Sequence, residues 1–468
     1  FFFVTSMILI CSVLNVIAGL TFGYSANGIN SAADVLWRCW YSLEDSKSPE
    51  DAYLVGMLFS AVSIGFIPAT IISGPTADYF GRRRALMIAG FLAACAVLSG
   101  FSWSYTMQMF ARLITGAAMG IMTSICPVYI SEMAPEDHRG SIGSLFQVAS
   151  TFGILLGNIA GYFILGPARD AAYPVYCKAF TADDIASMTL ALVAPGLLLG
   201  LCLMAFAVLI LPESTVWLKS QGTKASGWDP DLEERQGLIT KPTPETPGPA
   251  LLGGWKGLLQ APQAVVLGLV MAVAFMLTGI NAVMSYAPDF MELGGVKHKM
   301  LGSMMLMLWN FIATLVAMAL ADRVDRRSLL LPSIFCMALA VLIIHPARIF
   351  LSPESSGVVS LLLLFVFIGG FETGPGTLFW IVCSEVLPAK VTAIGFSLIN
   401  AAQCSFSLAT TFLFPILDEV LGTKVFYLFG VPGILVFFYL WLCMPETRGK
   451  SKDAITQDML QGRWVHLW

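Results

Sequence analysis

A chain of 468 residues that is 57% hydrophobic and 12% charged, with a mean hydropathy of +0.78, is too apolar for a soluble globular protein. Its net charge of −4 includes no basic face, so no nucleic-acid partner is expected. The ten cysteines show no CxxC or Cys/His metal spacing, and there is no nucleotide loop or nucleophile–base spacing, so no metal, no cofactor and no enzyme activity are expected.

The apolar runs predict an all-α membrane protein with twelve transmembrane helices. They lie over 1–28, 53–76, 85–102, 106–131, 141–165 and 186–211, then 263–290, 299–321, 328–347, 358–384, 393–417 and 425–444. The first run, Phe1 to Leu20, lacks the basic n-region and small-residue cleavage site of a signal peptide and reads as a spanning helix. The sequence does not begin with Met, so a preceding N-terminal piece is expected. Between the sixth and seventh runs lies a long polar stretch. Its segment Lys241-Pro242-Thr243-Pro244-Glu245-Thr246-Pro247-Gly248-Pro249 predicts a flexible linker, with short amphipathic helices near Leu232–Gln236 and Trp255–Gln260. The organisation read from this is a six-helix half over 1–213, a linker over 214–262, a second six-helix half over 263–444 and a tail over 445–468.

Lys and Arg set the orientation. An even number of spans puts both termini on one side, and that side carries 17 of the basic residues against 8 on the other, with Arg112 alone inside a span. The bias predicts cytoplasmic termini and a cytoplasmic linker.

The two halves echo each other. Gly74-Pro75-Thr76-Ala77-Asp78-Tyr79-Phe80-Gly81-Arg82-Arg83-Arg84 is answered by Ala321-Asp322-Arg323-Val324-Asp325-Arg326-Arg327. Glu132 with Arg139 is answered by Glu385, and Pro212-Glu213-Ser214 by Pro445-Glu446-Thr447. Two pseudo-symmetric membrane halves place a substrate site near the midplane between them, which points to a transporter.

These residues resemble the sugar porters of the major facilitator superfamily, and among them the facilitative glucose and hexose transporters. The resemblance runs over essentially the whole chain. It rests on Pro127-Val128-Tyr129-Ile130-Ser131-Glu132-Met133-Ala134-Pro135 with Arg139-Gly140 and Gln147, on Gly279-Ile280-Asn281-Ala282-Val283, on Gly374-Pro375-Gly376 with Trp380, and on Pro445-Glu446-Thr447-Arg448-Gly449. It implies the major facilitator fold and a small sugar moved by alternating access across a membrane, expected to be the plasma membrane.

A sugar needs neutral donors and acceptors plus an aromatic face. Polar residues inside spans are costly and therefore functional candidates, here Gln147, Asn281, Asn310, Glu372, Asn400 and Gln403. The resemblance places Gln147, Asn281, Asn310, Glu372 and Trp380 around the sugar; interhelical hydrogen-bonding is the structural alternative for the amides. Two departures bear on the substrate. Phe275 and Met276 stand where the family carries a Gln pair, and Gln403 with Cys404 where it carries Asn-Trp. The resemblance also implies a network of ion pairs at the cytoplasmic helix ends that holds the outward-open state, formed by Asp78, Arg82, Arg83, Glu132, Arg139, Asp322, Arg326, Arg327 and Glu385. There too the echo is imperfect: Asp325 replaces a Gly, Val216 an Arg and Thr392 an Arg, with Lys390 near the last.

Proton-coupled sugar porters usually carry Asp after Phe-Gly-Tyr on the first helix. Here Phe22-Gly23-Tyr24 is followed by Ser25, which predicts uniport and leaves Arg112 without an acidic partner on that helix. Carriage of another small neutral solute or polyol, proton-coupled sugar symport, and sugar sensing without transport are the alternatives. Cys39 and Cys177, the two cysteines outside the spans, are candidates for a disulfide between extracellular loops.

Overall fold

Within lipid a chain must satisfy its backbone N–H and C=O groups internally, and helices do so one segment at a time. The computed structural model describes residues 2–25, 30, 36–37, 39–40, 49–101, 104–135, 138–165, 181–220, 254–276, 279–285, 298–321, 323–388, 391–448 and 452–460. Among them, all twelve predicted spans carry helix. The first six are α1 (Phe2–Gly23), α2 (Pro49–Phe80), α3 (Arg82–Cys95), α4 (Tyr105–Met133), α5 (Arg139–Leu165) and α6 (Ala182–Leu209). Two short helices follow, α7 (Thr215–Ser220) and α8 (Gly254–Leu259). The second set comprises α9 (Pro262–Met276), α10 (Ile280–Ser285), α11 (Lys299–Ala321), α12 (Arg326–Phe350), α13 (Pro353–Phe371), α14 (Thr377–Val386), α15 (Thr392–Leu421) and α16 (Val425–Cys443), and α17 (Lys452–Leu460) closes the series.

Three spans depart from a plain rod. The third was expected to run to residue 102, but α3 ends at Cys95 and tightens into a 3-10 turn over Ala96–Phe101, where Ser99 and Gly100 weaken the α conformation. The seventh is divided into α9 and α10, with Gly279 at φ +90° beside the second piece. The tenth is divided by a π segment, Glu372–Gly376, whose Glu-Thr-Gly-Pro-Gly sequence contains a proline with no N–H to give. The helix expected near Trp255–Gln260 is α8. The one expected near Leu232–Gln236 lies outside the described residues. The helix α17 was not foreseen; its Ile455 and Met459 are buried, and it packs on α14 and α9.

Ends are capped where polar residues permit. Thr181 and Asp184 form a reciprocal capping box on α6, and Ser104 accepts from the Met107 N–H to start α4. Side chains such as Leu9, Phe163, Leu209, Phe350 and Trp441 point outward and stay exposed, which suits a lipid-facing belt.

Within the first set, α2 packs on α4, α1 on α5 and α3 on α6; within the second, α12 packs on α13 and α16. The two sets meet where α2 packs on α15 and α11 on α5. At the α2–α15 contact, Tyr53 meets the edge of Phe412 at 5.5 Å. A Cβ on Gly56 would lie 2.8 Å from the Phe412 carbonyl oxygen, so the approach depends on glycine.

Candidate functional site

The predicted polar residues lie on α5, α10, α11, the π segment and α15, and α11 packs on both α5 and the π segment. Gln147 on α5 donates from Nε2 to Glu372 Oε2 at 3.5 Å, a hydrogen bond that links the first set of helices to the second. Glu372 is buried, and Thr314, one turn beyond Asn310 on α11, stands near its carboxylate. Thr314 Oγ1 lies 2.8 Å from the Asn310 carbonyl oxygen. Asn310 itself is fully buried, and neither Nδ2 nor Oδ1 has a hydrogen-bond partner among the described residues. A buried amide left unsatisfied costs roughly 1–3 kcal/mol, so it is retained where something else completes it.

Asn281 behaves differently. Its Nδ2 donates to Ser407 Oγ on α15 and to Met276 Sδ at 3.0 Å. Both donor contacts are thus made within the protein, and Oδ1 is the atom left to accept. Gln403 and Asn400 are buried on α15, with Cys404 Sγ 3.9 Å from Gln403 Oε1 and 4.0 Å from Asn400 Oδ1. Phe275 sits among Phe371 and Phe379, each at 5.0 Å between centroids, and Trp380 at 6.5 Å; Trp380 in turn contacts Phe396 at 5.6 Å. An aromatic cluster therefore fills the place where an amide pair was the alternative. On α5 and α11, Phe152 contacts Phe311 at 5.2 Å.

Arg112 on α4 is buried deep in its span. Its Nη2 donates to Asn30 Oδ1 at 2.9 Å, and its guanidinium lies 5.3 Å from the Trp37 ring centroid and 6.0 Å from that of Phe59. Ser25 is also buried, and its hydroxyl has no hydrogen-bond partner among the described residues. Asn30 was missed by sequence reading, which sought an acid on the first helix rather than a neutral amide beyond it.

The Arg-rich helix ends carry a clamp that is built twice. In the first, Arg82 grips Glu132 with two hydrogen bonds, Nε to Oε2 at 3.1 Å and Nη2 to Oε1 at 2.9 Å. Both side chains are nearly buried, at 11% and 12% exposure, so the pair has a strength that exposed pairs lack. Asp78 also pairs with Arg82 at 3.0 Å but is 73% exposed and adds little. Arg83 makes a different contact. It donates to the carbonyls of Ala207 (2.8 Å) and Val208 at the C-terminal end of α6, where a cation suits the helix dipole.

Glu213 is the member that sequence reading did not place in this network. Its carboxylate accepts from the backbone N–H groups of Arg82 (2.8 Å) and Arg83 (3.1 Å), capping α3 from 131 residues away. Ser214 donates to Glu132 at 2.5 Å, and Tyr129 donates to the Pro212 carbonyl at 3.0 Å. Gly81 stands at φ +94°, and a Cβ there would lie 2.3 Å from Glu213 Oε2.

The second clamp repeats the plan. Glu446 accepts from the backbone N–H groups of Arg326 (3.1 Å) and Arg327 (3.0 Å), capping α12, and Arg327 donates to the Trp441 carbonyl at the end of α16 at 2.5 Å. Arg326 and Glu385 are 3.9 Å apart, a looser pair than Arg82 and Glu132. Asp325, at the position matching Gly81, has an ordinary φ of −63° and pairs with Arg448 at 3.4 Å. The departure from Gly is thus accommodated by a different turn and a different partner. Asp322 lies outside the described residues, as does the side chain of Arg139. Burial raises the Glu446 carboxyl, but its backbone hydrogen bonds from Arg448, Arg327, Arg326 and Thr447 outweigh this and hold it below the usual carboxylate range.

Two sets of membrane-length helices, joined by the Gln147–Glu372 hydrogen bond and carrying matching clamps at one end, define a membrane transporter of the major facilitator type. The Sugar (and other) transporter family matches residues 11–459, and the chain belongs to that family. It is 28% identical to a D-xylose transporter of Levilactobacillus brevis, over 94% of this chain and 93% of that protein. It is 28% identical to the glucose transporter GlcP of Staphylococcus epidermidis, over 96% of each. Its fold matches that of the xylose transporter XylE from E. coli in a partially occluded inward-open conformation, with a TM-score of 0.75 and 23% identity, over 95% of this chain and all of that one. The chain is therefore an integral membrane sugar transporter whose expected partner is a small sugar.

Proposed function

We propose that this protein is a facilitative uniporter of a monosaccharide, a hexose such as glucose being the reference substrate, and that it works by alternating access between its halves, 1–213 and 263–444. The observation that carries this reading is Ser25, buried directly after Phe22-Gly23-Tyr24 on the first span. Ser25 cannot carry a proton at physiological pH, and Asn30, Trp37 and Phe59 meet the guanidinium with an amide oxygen and two ring faces. A carrier with a hydroxyl in place of a titrating group at that position moves sugar only down its gradient.

The sugar binds at the ring formed by Gln147, Asn310, Glu372 and Trp380, with Asn281, Gln403, Phe275 and Met276 around it. Asn310 supplies a donor and an acceptor that no group among the described residues uses. Gln147 and Glu372 belong to different halves, and their mutual hydrogen bond is exchanged for sugar hydroxyls on binding. The clamps bias the rocking of the halves through Asp78, Arg82, Arg83, Glu132 and Arg139 on one side and Asp322, Arg326, Arg327 and Glu385 on the other. Both termini are cytoplasmic, and the plasma membrane is the natural site for such a carrier. The test is purified protein in liposomes with radiolabelled glucose. Uptake should stop at equal concentrations, and uphill accumulation driven by an inward proton gradient would refute uniport.

A further inference from the structure

We infer that the clamp end of the first set of helices carries a binding site for the headgroup of an anionic phospholipid, with Arg84 as its anchor. The sequence gives α3 two faces. Ala85, Leu86, Ala89, Gly90, Ala93 and Ala94 are buried, whereas Arg84, Ile88 and Phe91 are exposed and, at spacings of four and three, share one outward stripe. At about 1.5 Å of rise per residue, Arg84 stands roughly 10 Å nearer the clamp end than Phe91. An acyl chain lying on Phe91 and Ile88 therefore brings its headgroup phosphate to the guanidinium. The apolar surface continues beside it. Leu209 and Ile210 are exposed at the end of α6, which is tied to the start of α3 by Arg83 through the carbonyls of Ala207 and Val208.

The other charges at this end are already engaged. Arg82 pairs with Glu132 and Asp78, and Arg83 is held by the α6 carbonyls. Glu213 is taken up by the backbone N–H groups of Arg82 and Arg83. Arg84 makes no ion pair or hydrogen bond among the described residues. The anion that a bilayer offers to a cation at the head of an apolar stripe is lipid phosphate. The second set of helices supplies the comparison. Arg326 and Arg327 answer Arg82 and Arg83, but Ser328 answers Arg84. Below it the stripe of Pro332, Phe335 and Leu339 is exposed in the same way. The clamp is thus built without a third cation in one half, so the charge of Arg84 serves something other than the clamp. One basic residue at an anionic lipid surface strengthens the attraction about fivefold.

The test is thermal unfolding of the full chain in detergent, stripped of co-purified lipid and titrated with palmitoyl-oleoyl phosphatidylglycerol, the matching phosphatidylcholine, or inorganic phosphate. A ligand of the folded protein raises the melting temperature, and the midpoint of the rise reports its affinity. Phosphatidylglycerol should bind about fivefold or more tighter than phosphatidylcholine. Inorganic phosphate, which has no acyl chain for Ile88 and Phe91, should give no rise at the same concentrations. Arg84→Gln should weaken phosphatidylglycerol about fivefold and leave the lipid-free melting temperature unchanged. Arg84→Ser, which installs the residue of the echo, makes the same comparison should the first variant fail to fold. Lys424→Gln removes an exposed charge at the far end of α16 from the second clamp and should leave the preference intact. Equal affinity for the two lipids, a rise with inorganic phosphate that matches phosphatidylglycerol, or an Arg84 variant whose titration overlays the wild type overturns the site.

Discussion

Asn310 is the residue whose state says most about the site. A fully buried amide with both polar atoms unpartnered among the described residues destabilises the empty protein, so its removal should help folding while harming function. Asn310→Leu is expected to leave the melting temperature in detergent unchanged or raised, and to weaken sugar competition in counterflow by about tenfold or more. A variant that melts lower and binds normally would show the amide to be a structural group. Asn281 should behave in the opposite way. Its amide already serves Ser407 and Met276, so Asn281→Ala should lower stability by about 1–2 kcal/mol in an unfolding titration, with a smaller effect on affinity than Gln147→Ala. Sequence reading named Gln147, Asn281, Asn310 and Glu372 together as one set of intramembrane polar groups. Composition and position could mark them but could not tell an amide spent inside the protein from one held open, because the difference lies in Ser407, 126 residues away in the chain.

At the scale of helices, the clamps show how a loop motif works. Arg82 and Glu132 were legible from the sequence as a paired cation and acid. Glu213 and Glu446 were visible only as repeated words, since their partners are backbone N–H groups, which no side-chain pattern reveals. Gly81 holds a φ of +94° and ψ of 158°, a region essentially reserved for glycine, directly under Glu213. Gly81→Ala should therefore destabilise the protein by about 1–3 kcal/mol or more, read as a lower melting temperature, whereas Asp325→Ala should cost far less, because Asp325 has ordinary backbone angles and a pair that is 36% and 59% exposed. The Glu446 carboxyl is held below its ordinary value when folded. Its contribution is thus complete above the unfolded value near 4.5 and is lost as pH falls below that through the folded value. Wild type should lose melting temperature between about pH 5 and pH 3 faster than Glu446→Gln, which has no proton to bind there. Parallel curves for the two proteins would remove Glu446 from the pH response.

At the scale of the whole molecule, twelve helical positions and the twofold plan were readable from apolar length and from the ordered echo of motifs. The breaks in the third, seventh and tenth spans were not, because apolar runs report length and are silent about where a helix tightens, stops or bulges. The structure also bears on the cysteines. Cys39 is disulfide-bonded and eight others are free, while Cys177 lies outside the described residues. A Cys39–Cys177 bridge is expected on peptide mapping of non-reduced protein, and alkylation of both thiols without reductant would exclude it. The central claim is that sugar moves through this fold without a proton. Counterflow in proteoliposomes, with and without an inward pH gradient, tests it most directly. The account predicts exchange of equal size in both conditions, with internal sugar never rising above the external level in net uptake. A pH gradient that drives accumulation beyond that level would contradict it.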